Sequence, residues 1–388
     1  MKRTSAIAVV LGGVCLLVAC DEDKKPETTT GASSATGASA SVAATPPPPP
    51  KPSPAELMAK TLKGAAEPWN AHDAAKVAAN YAPNAKLVIP GLPEFKGRDA
   101  IQGEAKADFA GYSDWKVGVV RTFSKGSNAV IEWVVTGKND GPTPFAAKAT
   151  GRQIGVAGAS VVTFGDDGLI TEEHRYFDIP TLTSQLDPKA KAGTFRAPIT
   201  LPTGAPEDIA SKGTPDEAKL VDTAKAMYTA FEGKKEADLL AFATDDTAME
   251  DYSGPTSVKG TKQFKDLANA YWKIIPDVAQ TKPLQFAAGD WVITEGTMTG
   301  TQKGAMGPIK ASNKPVSMRF VDLVQFKAGK IARFDTYADS AEMLVEIGAM
   351  PPITLPAPGA APAASGAPAG SGSAMAAGSA APPPGKAK

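Results

Sequence analysis

The chain has 388 residues, too many for one ordinary domain and enough for two or three. Its 41 basic and 41 acidic residues cancel and are interspersed, with a pI near 6.8, so it lacks the concentrated basic surface that a nucleic-acid partner demands. Its only cysteines, Cys15 and Cys20, stand near the N-terminus, which excludes a disulfide, a thiolate metal site or thiol catalysis in the rest of the chain.

Met1-Lys2-Arg3 supplies a positive start, and Ala6 to Val18 is an apolar run of signal-peptide length, short for a membrane span. Residues 1–19 therefore read as a signal peptide. Leu17-Val18-Ala19-Cys20 resembles the lipobox of bacterial lipoproteins. The resemblance implies cleavage before Cys20 and lipidation of its thiol. It also implies a membrane partner through that anchor, and periplasmic domains at the cell envelope. Several acyl chains hold a protein stably where one is marginal. Asp21 is similar to an inner-membrane retention signal whose rule varies between lineages; both membranes stay open, with the outer favoured weakly. Residues 20–52, rich in Thr, Ser, Ala and Gly and ending in Pro46 to Pro50, read as anchor and extended spacer.

A first unit spans 53–187. Its periodicity predicts a helix around Leu57 to Trp69 and a second, capped by Asp73, through Tyr81. A short strand is expected at Ala85–Ile89, then a helix capped by Asp99 through about Phe109. Strands are expected at Trp115–Phe123, Ala129–Gly137, Thr150–Val156, Ser160–Phe164 and Leu169–Phe177, with glycine-rich turns between them. Residues 188–215 read as a linker. In the second unit, 216–348, helices are expected at Leu220–Phe231 and Ala237–Phe242, with a third through Trp272. Strands follow at Leu284–Ala287, Trp291–Gly300, Val316–Phe326 and Lys330–Tyr337. Helices followed by antiparallel strands make each unit α+β. Residues 349–388, almost all Ala, Pro, Gly and Ser, read as a disordered tail.

The units are copies of one plan. Trp69 aligns with Phe231, Gly97 with Gly260, Glu132 with Glu295, and Thr136-Gly137 with Thr299-Gly300. Gly168, Ile170, Tyr176 and Asp178 align with Gly329, Ile331, Tyr337 and Asp339, all at nearly one offset. Trp69-Asn70-Ala71-His72-Asp73, Lys96-Gly97-Arg98-Asp99 and Asp167-Gly168-Leu169-Ile170 carry a resemblance to the SnoaL-like branch of the NTF2-like superfamily, which includes polyketide cyclases. The resemblance implies two tandem cones, each a curved antiparallel sheet wrapped on N-terminal helices around an apolar pocket. It also implies pairing through the outer sheet faces, here within one chain as a pseudo-dimer.

Strand alternation marks candidate pocket residues. Ile131, Trp133 and Val135 share the apolar face of one strand. Glu132 and its counterpart Glu295 fall on the other, a solvated face or a subunit contact. On the last strand Ile170, Glu172, His174 and Tyr176 share a face, matched by Ile331, Arg333, Asp335 and Tyr337. In SnoaL-like cyclases a carboxylate beside a histidine moves protons on an enolisable substrate. That resemblance implies the role for His174 with Glu172 or Glu173, and for Asp335 if burial raises its pKa. The plainer reading is polar residues bonded at a strand end. Arg152 is a candidate for an anionic group at the mouth, or a surface arginine; His72 reads as a surface residue. No cofactor motif occurs: the ligand spacing of a metal site, a nucleotide loop and a serine-hydrolase elbow are all missing. Two functions follow: an envelope module binding small apolar or amphipathic ligands or a protein partner, or a cyclase- or isomerase-like enzyme.

Overall fold

The computed structural model describes residues 51–353; the signal-peptide and Cys20 assignments lie outside them. Among the described residues, no helix is long and apolar enough to cross a membrane. The first domain opens with α1 (Pro54–Lys63), α2 (Glu67–Asn70) and α3 (Ala74–Ala79). Ser53 and Glu56 form a reciprocal capping box on α1, and Asp73 caps α3. Then come β1 (Tyr81–Val88), β2 (Phe95–Lys96), α4 (Arg98–Gly111), β3 (Lys116–Lys125), β4 (Asn128–Lys138), β5 (Gln153–Phe164), β6 (Ile170–Tyr176) and α5 (Ile179–Leu186). The connector carries β7 (Glu207–Ala210). The second domain repeats the plan with α6 (Pro215–Glu232), α7 (Glu236–Leu240), β8 (Ala248–Asp251), β9 (Val258–Lys259), α8 (Gly260–Ile274), β10 (Ala279–Ala288), β11 (Trp291–Thr301), β12 (Pro315–Lys327), β13 (Lys330–Ala338) and α9 (Ser340–Ile347).

The sheets run β2-β1-β6-β5-β4-β3-β7 and β10-β11-β12-β13-β8-β9, the same order read in opposite directions once β7 is set aside. Both are curved and antiparallel except where β1 meets β6, β3 meets β7 and β8 meets β13. Gly97 and Gly260, constant between the units, precede or open the long helices α4 and α8 with φ of 81° and 74°. Only glycine adopts that backbone without strain.

Several elements differ from the sequence reading. Tyr81 opens a strand rather than closing a helix, and α4 begins at Arg98 after Gly97 with no side-chain cap, leaving Asp99 in its first turn. The two strands expected at 150–164 are one continuous strand, β5. Gly158 interrupts the apolar pattern there for a packing reason. It pairs with Trp133 on β4, and a Cβ at Gly158 would lie 2.2 Å from the Trp133 ring. The second domain reverses the exchange: Gly296 on β11 pairs with Phe320 on β12, and a Cβ there would meet the Phe320 ring at 2.7 Å. In each domain a glycine thus makes room for a large ring on the adjacent strand. The connector is no loose tether. β7 pairs in parallel with β3, and Ile199, Leu201 and Ile209 pack on the apolar layer described next.

The convex faces of the two sheets share that layer. Phe123, Val130, Val134 and Val161 from the first domain join Phe286, Trp291, Ile293, Val321 and Leu323 from the second. Reciprocal hydrogen bonds cross it. The Tyr176 hydroxyl donates to Glu295 (2.7 Å), and the equivalent Tyr337 hydroxyl donates to Glu132 (2.6 Å). At one end, α5 and α9 exchange caps: Ser340 N donates to Asp178 (3.0 Å) and Ile179 N to Asp339 (3.1 Å).

Replacing Gly158 with alanine drives a methyl group into Trp133 and the Tyr176 carbonyl. Overpacking of this kind costs about 1–3 kcal/mol. Denaturant unfolding of G158A should therefore show a lower midpoint with an unchanged slope.

Candidate functional site

Each final strand carries one extra residue that exchanges its faces. Phe164 pairs with Ile170 but Thr163 pairs with Glu172, leaving Thr171 unopposed. In the second domain Phe326 pairs with Ile331 and Gln325 with Arg333, leaving Ala332 unopposed. These are β-bulges, and alternation restarts one residue out of step beyond them. Ile170 faces the concave side, and so do Glu173 and Arg175; Glu172, His174 and Tyr176 face the other domain. The second domain places Phe334, Thr336 and Ala338 inside and Arg333, Asp335 and Tyr337 outside.

The concave side of the first domain encloses a cavity of about 90 Å³, walled by Trp69, Trp115 and Trp133 with Val119, Ile131 and Val162. Its polar end is a hydrogen-bonded network. Glu173 accepts hydrogen bonds from Tyr81, from Ser160 Oγ (2.7 Å) and from Arg175 Nε (2.9 Å). Arg175 also binds Glu104 (2.7 Å), and its guanidinium lies 5.2 Å from the Trp69 ring centroid. Trp133 Nε1 donates to Ser160 Oγ (3.1 Å). Burial opposes the Glu173 charge, but Arg175 and the three hydroxyl and guanidinium donors outweigh it and hold its pKa below the usual range. Glu173 thus stays ionised, paired and unavailable as a base near neutrality.

The second cavity, about 100 Å³, has different chemistry. Met227, Phe231, Phe264, Met318, Phe320 and Phe334 make its apolar wall. Where the first domain has Ser160 it has Asp322, only 4% exposed, and where the first has Arg175 it has Thr336. No arginine or lysine forms an ion pair with Asp322 among the described residues; Tyr228 donates its hydroxyl at 2.7 Å. Burial pushes the Asp322 carboxyl up to about 7, against the pull of Thr336 and Tyr228 and with the push of nearby Asp251. Asp251 also lines the cavity and accepts from Tyr271 (3.0 Å) and Ser253. A carboxylate poised near neutrality in an apolar cavity can both take and return a proton.

Of the residues singled out from sequence, Trp133 lines a cavity. The others need correction. His174 lies 34% exposed with Nδ1 2.6 Å from Glu295, which raises its pKa first by that hydrogen bond, and Nε2 3.3 Å from Glu172. Asp335 is buried between the domains, held by Arg121 (2.9 Å) and Arg333 (2.7 Å), while Arg121 also grips Glu132. Tyr176 and Tyr337 serve the same layer. His174 and Asp335 therefore cannot reach a ligand in either cavity. Arg152 donates to the Gln185 carbonyl (2.5 Å) and Lys314, its counterpart, to the Ile347 carbonyl (3.3 Å), so both tie off a helix end rather than a cavity mouth. His72 stacks on Phe109 at 4.9 Å. Sequence reasoning named Glu173 only as an alternative to Glu172 and missed Arg175, Tyr228 and Asp322. The signal for the bulge was present: Ile331 and Phe334 are three apart, which strict alternation cannot place on one face.

Two family models match the chain. One, for SnoaL-like polyketide cyclases, covers residues 221–347, and another, for the SnoaL-like domain, covers 63–173. Together they span more than half of the chain. The protein belongs to the SnoaL-like family, with two such domains in tandem. No curated protein sequence matches it. Solved structures similar to it include AclR of Streptomyces galilaeus, provisionally described as a hydroxylase, at 19% identity over 36% of this chain and 91% of that one (TM-score 0.33). IdmH of Streptomyces antibioticus, provisionally described as a polyketide cyclase, shares 20% identity over 34% and 99% (TM-score 0.30). A protein with a ketosteroid isomerase-like fold from Catenulispora acidiphila, solved with trimethylamine, shares 21% identity over 35% and 98% (TM-score 0.30).

The two SnoaL-like domains thus keep one frame and differ in cavity charge. An aspartate ionises near 3.9 in an unfolded chain but near 7 at Asp322 in the folded one. Between those values the folded state binds the extra proton, so this group lowers stability as pH rises across the window. Asp322→Asn removes the penalty. Thermal unfolding from pH 4 to pH 8 should show the variant gaining on the parent chain as pH rises, by on the order of several degrees at the upper end. A difference independent of pH would contradict the assignment.

Proposed function

We propose that the second SnoaL-like domain binds a small apolar molecule carrying a carbonyl group, and that Asp322 exchanges a proton with it. The observation that carries this reading is a buried carboxyl with a pKa of about 7, bonded to a phenol, in an apolar cavity. Ionised, Asp322 can take a proton from the carbon beside a carbonyl; protonated, it can return it. Membership in a family whose model is named for polyketide cyclases supports chemistry of this kind. The cavity volume limits the ligand: a cavity of about 150 Å³ admits benzene, and this one is smaller. The first domain, with its carboxylate neutralised internally, supports the second.

The test uses the purified full chain and acetone, small enough for this cavity, in D2O, with deuterium incorporation at the α-carbons followed by NMR. The protein should accelerate exchange, with a rate rising with pH through about 7 as Asp322 ionises. Asp322→Asn should lose about 10²-fold or more. Equal rates for the two proteins would refute the catalytic role.

We further propose that the chain is a lipoprotein held at the cell envelope through Cys20, with the domains on a spacer. The positive start, the apolar run and the small residues before Cys20 support this. Cys20→Ser should move the protein from the membrane fraction to the soluble fraction; retention in the membrane would count against the anchor.

A further inference from the structure

Asp251 and Ser253 form part of the wall beside Asp322, and they sit at the end of β8 where the chain turns through Gly254. This turn is held by a residue from outside its own domain. Arg196, in the connector, donates from Nη2 to the Asp251 carbonyl (3.0 Å) and from Nε to the Gly254 carbonyl (3.2 Å), and pairs through Nη1 with Glu250 (2.8 Å). Its guanidinium also lies 5.0 Å from the ring centroid of Tyr252, which stacks on Tyr337. The backbone of Arg196 belongs to the first domain's side: its carbonyl accepts from Gln185 on α5 (3.1 Å), and Ile199 N, three residues on, donates to Gly155 on β5 (3.1 Å).

We infer that Arg196 is a positioning residue for the second domain's cavity, fixing the 250–254 turn so that Asp251 and Ser253 face Asp322. A planar guanidinium suits the task, because its fork meets two carbonyls and a carboxylate in one plane while its face covers an aromatic ring. Lysine offers a single point charge and cannot make that set. The first domain and the connector thereby help shape the second domain's site, a dependence that a lone SnoaL-like domain lacks. The inference concerns the site proposed above and rests on that reading for its functional consequence.

Asp251, Tyr228, Tyr271 and Lys282 are the titratable groups around Asp322. Releasing the turn lets Asp251 and its negative charge move away and water enter, and both make Asp322 easier to ionise. The experiment compares the full chain with Arg196→Ala and Arg196→Lys, each labelled with 13C at the aspartate carboxyls. The Asp322 signal is identified by its loss in Asp322→Asn. In both arginine variants its titration midpoint should fall, and KM for ketone exchange should rise about tenfold while kcat changes less. An unshifted midpoint in R196A, or full restoration by R196K, would overturn the positioning role. Should R196A fail to fold, Glu250→Gln, which removes one arm of the clamp, is read instead: a lowered midpoint supports the role and an unchanged one overturns it. The carboxyl titration is independent of turnover. A parent chain without exchange activity refutes the function, whereas an unshifted midpoint refutes the clamp.

Discussion

The convex faces of two curved sheets bury each other in this protein, and the rest of its architecture follows from that contact. A sheet with helices on one side must cover its other face or leave it wet. Here each sheet covers the other, so valine, phenylalanine and tryptophan side chains on both convex faces become core. The buried Glu132 and Glu295 would be costly in such a layer if left unpaired. Each accepts the phenol of the opposite domain's tyrosine, and the same exchange recurs at the helix ends through Asp178 and Asp339. Tyr176 and Tyr337, and Glu132 and Glu295, are constant between the repeats because each domain completes the other.

Within that symmetric frame the charges are unequal. Glu132 is further met by Arg121, whose guanidinium lies 4.2 Å from the Trp291 ring centroid and reaches Asp335. Glu295 is met by His174 instead. Breaking a buried pair of the Arg121–Glu132 type typically costs about 3–5 kcal/mol. The exchange of His174 for Asp335, which from sequence looks like a change of catalytic group, is a change in how the layer balances its charge. The cavities drifted separately. One neutralises its carboxylate with Arg175; the other has Thr336 in that place and holds Asp322 in apolar surroundings, where its ionisation is displaced toward neutrality.

Much of the fold was legible because local signals agreed. Asp73 caps a helix, and the longer strands fall on the apolar runs, though not always at the expected length. What failed to be legible depended on a neighbour. Gly158 reads as a break until Trp133 is placed across from it. The connector reads as a tether until β7 is paired with β3 and Arg196 with the turn at Asp251. The candidate site suffered most. One unopposed residue, Thr171 in the first domain and Ala332 in the second, turns the last strand over and sends every expected pocket residue beyond it to the opposite face.

The sequence by itself determined the duplication and the α+β plan of each copy, because repeat spacing and apolar period are properties of the chain. It also held the apolar identity of the Trp133 face. Only the tertiary structure decided which polar residues meet a cavity and which meet the other domain. That choice depends on bulge register and on two sheets facing one another, and neither leaves a period-two trace. Asp322 shows the difference: in sequence it is one acid among 41, and only its burial against Tyr228, with no cation paired to it among the described residues, makes it a candidate for chemistry.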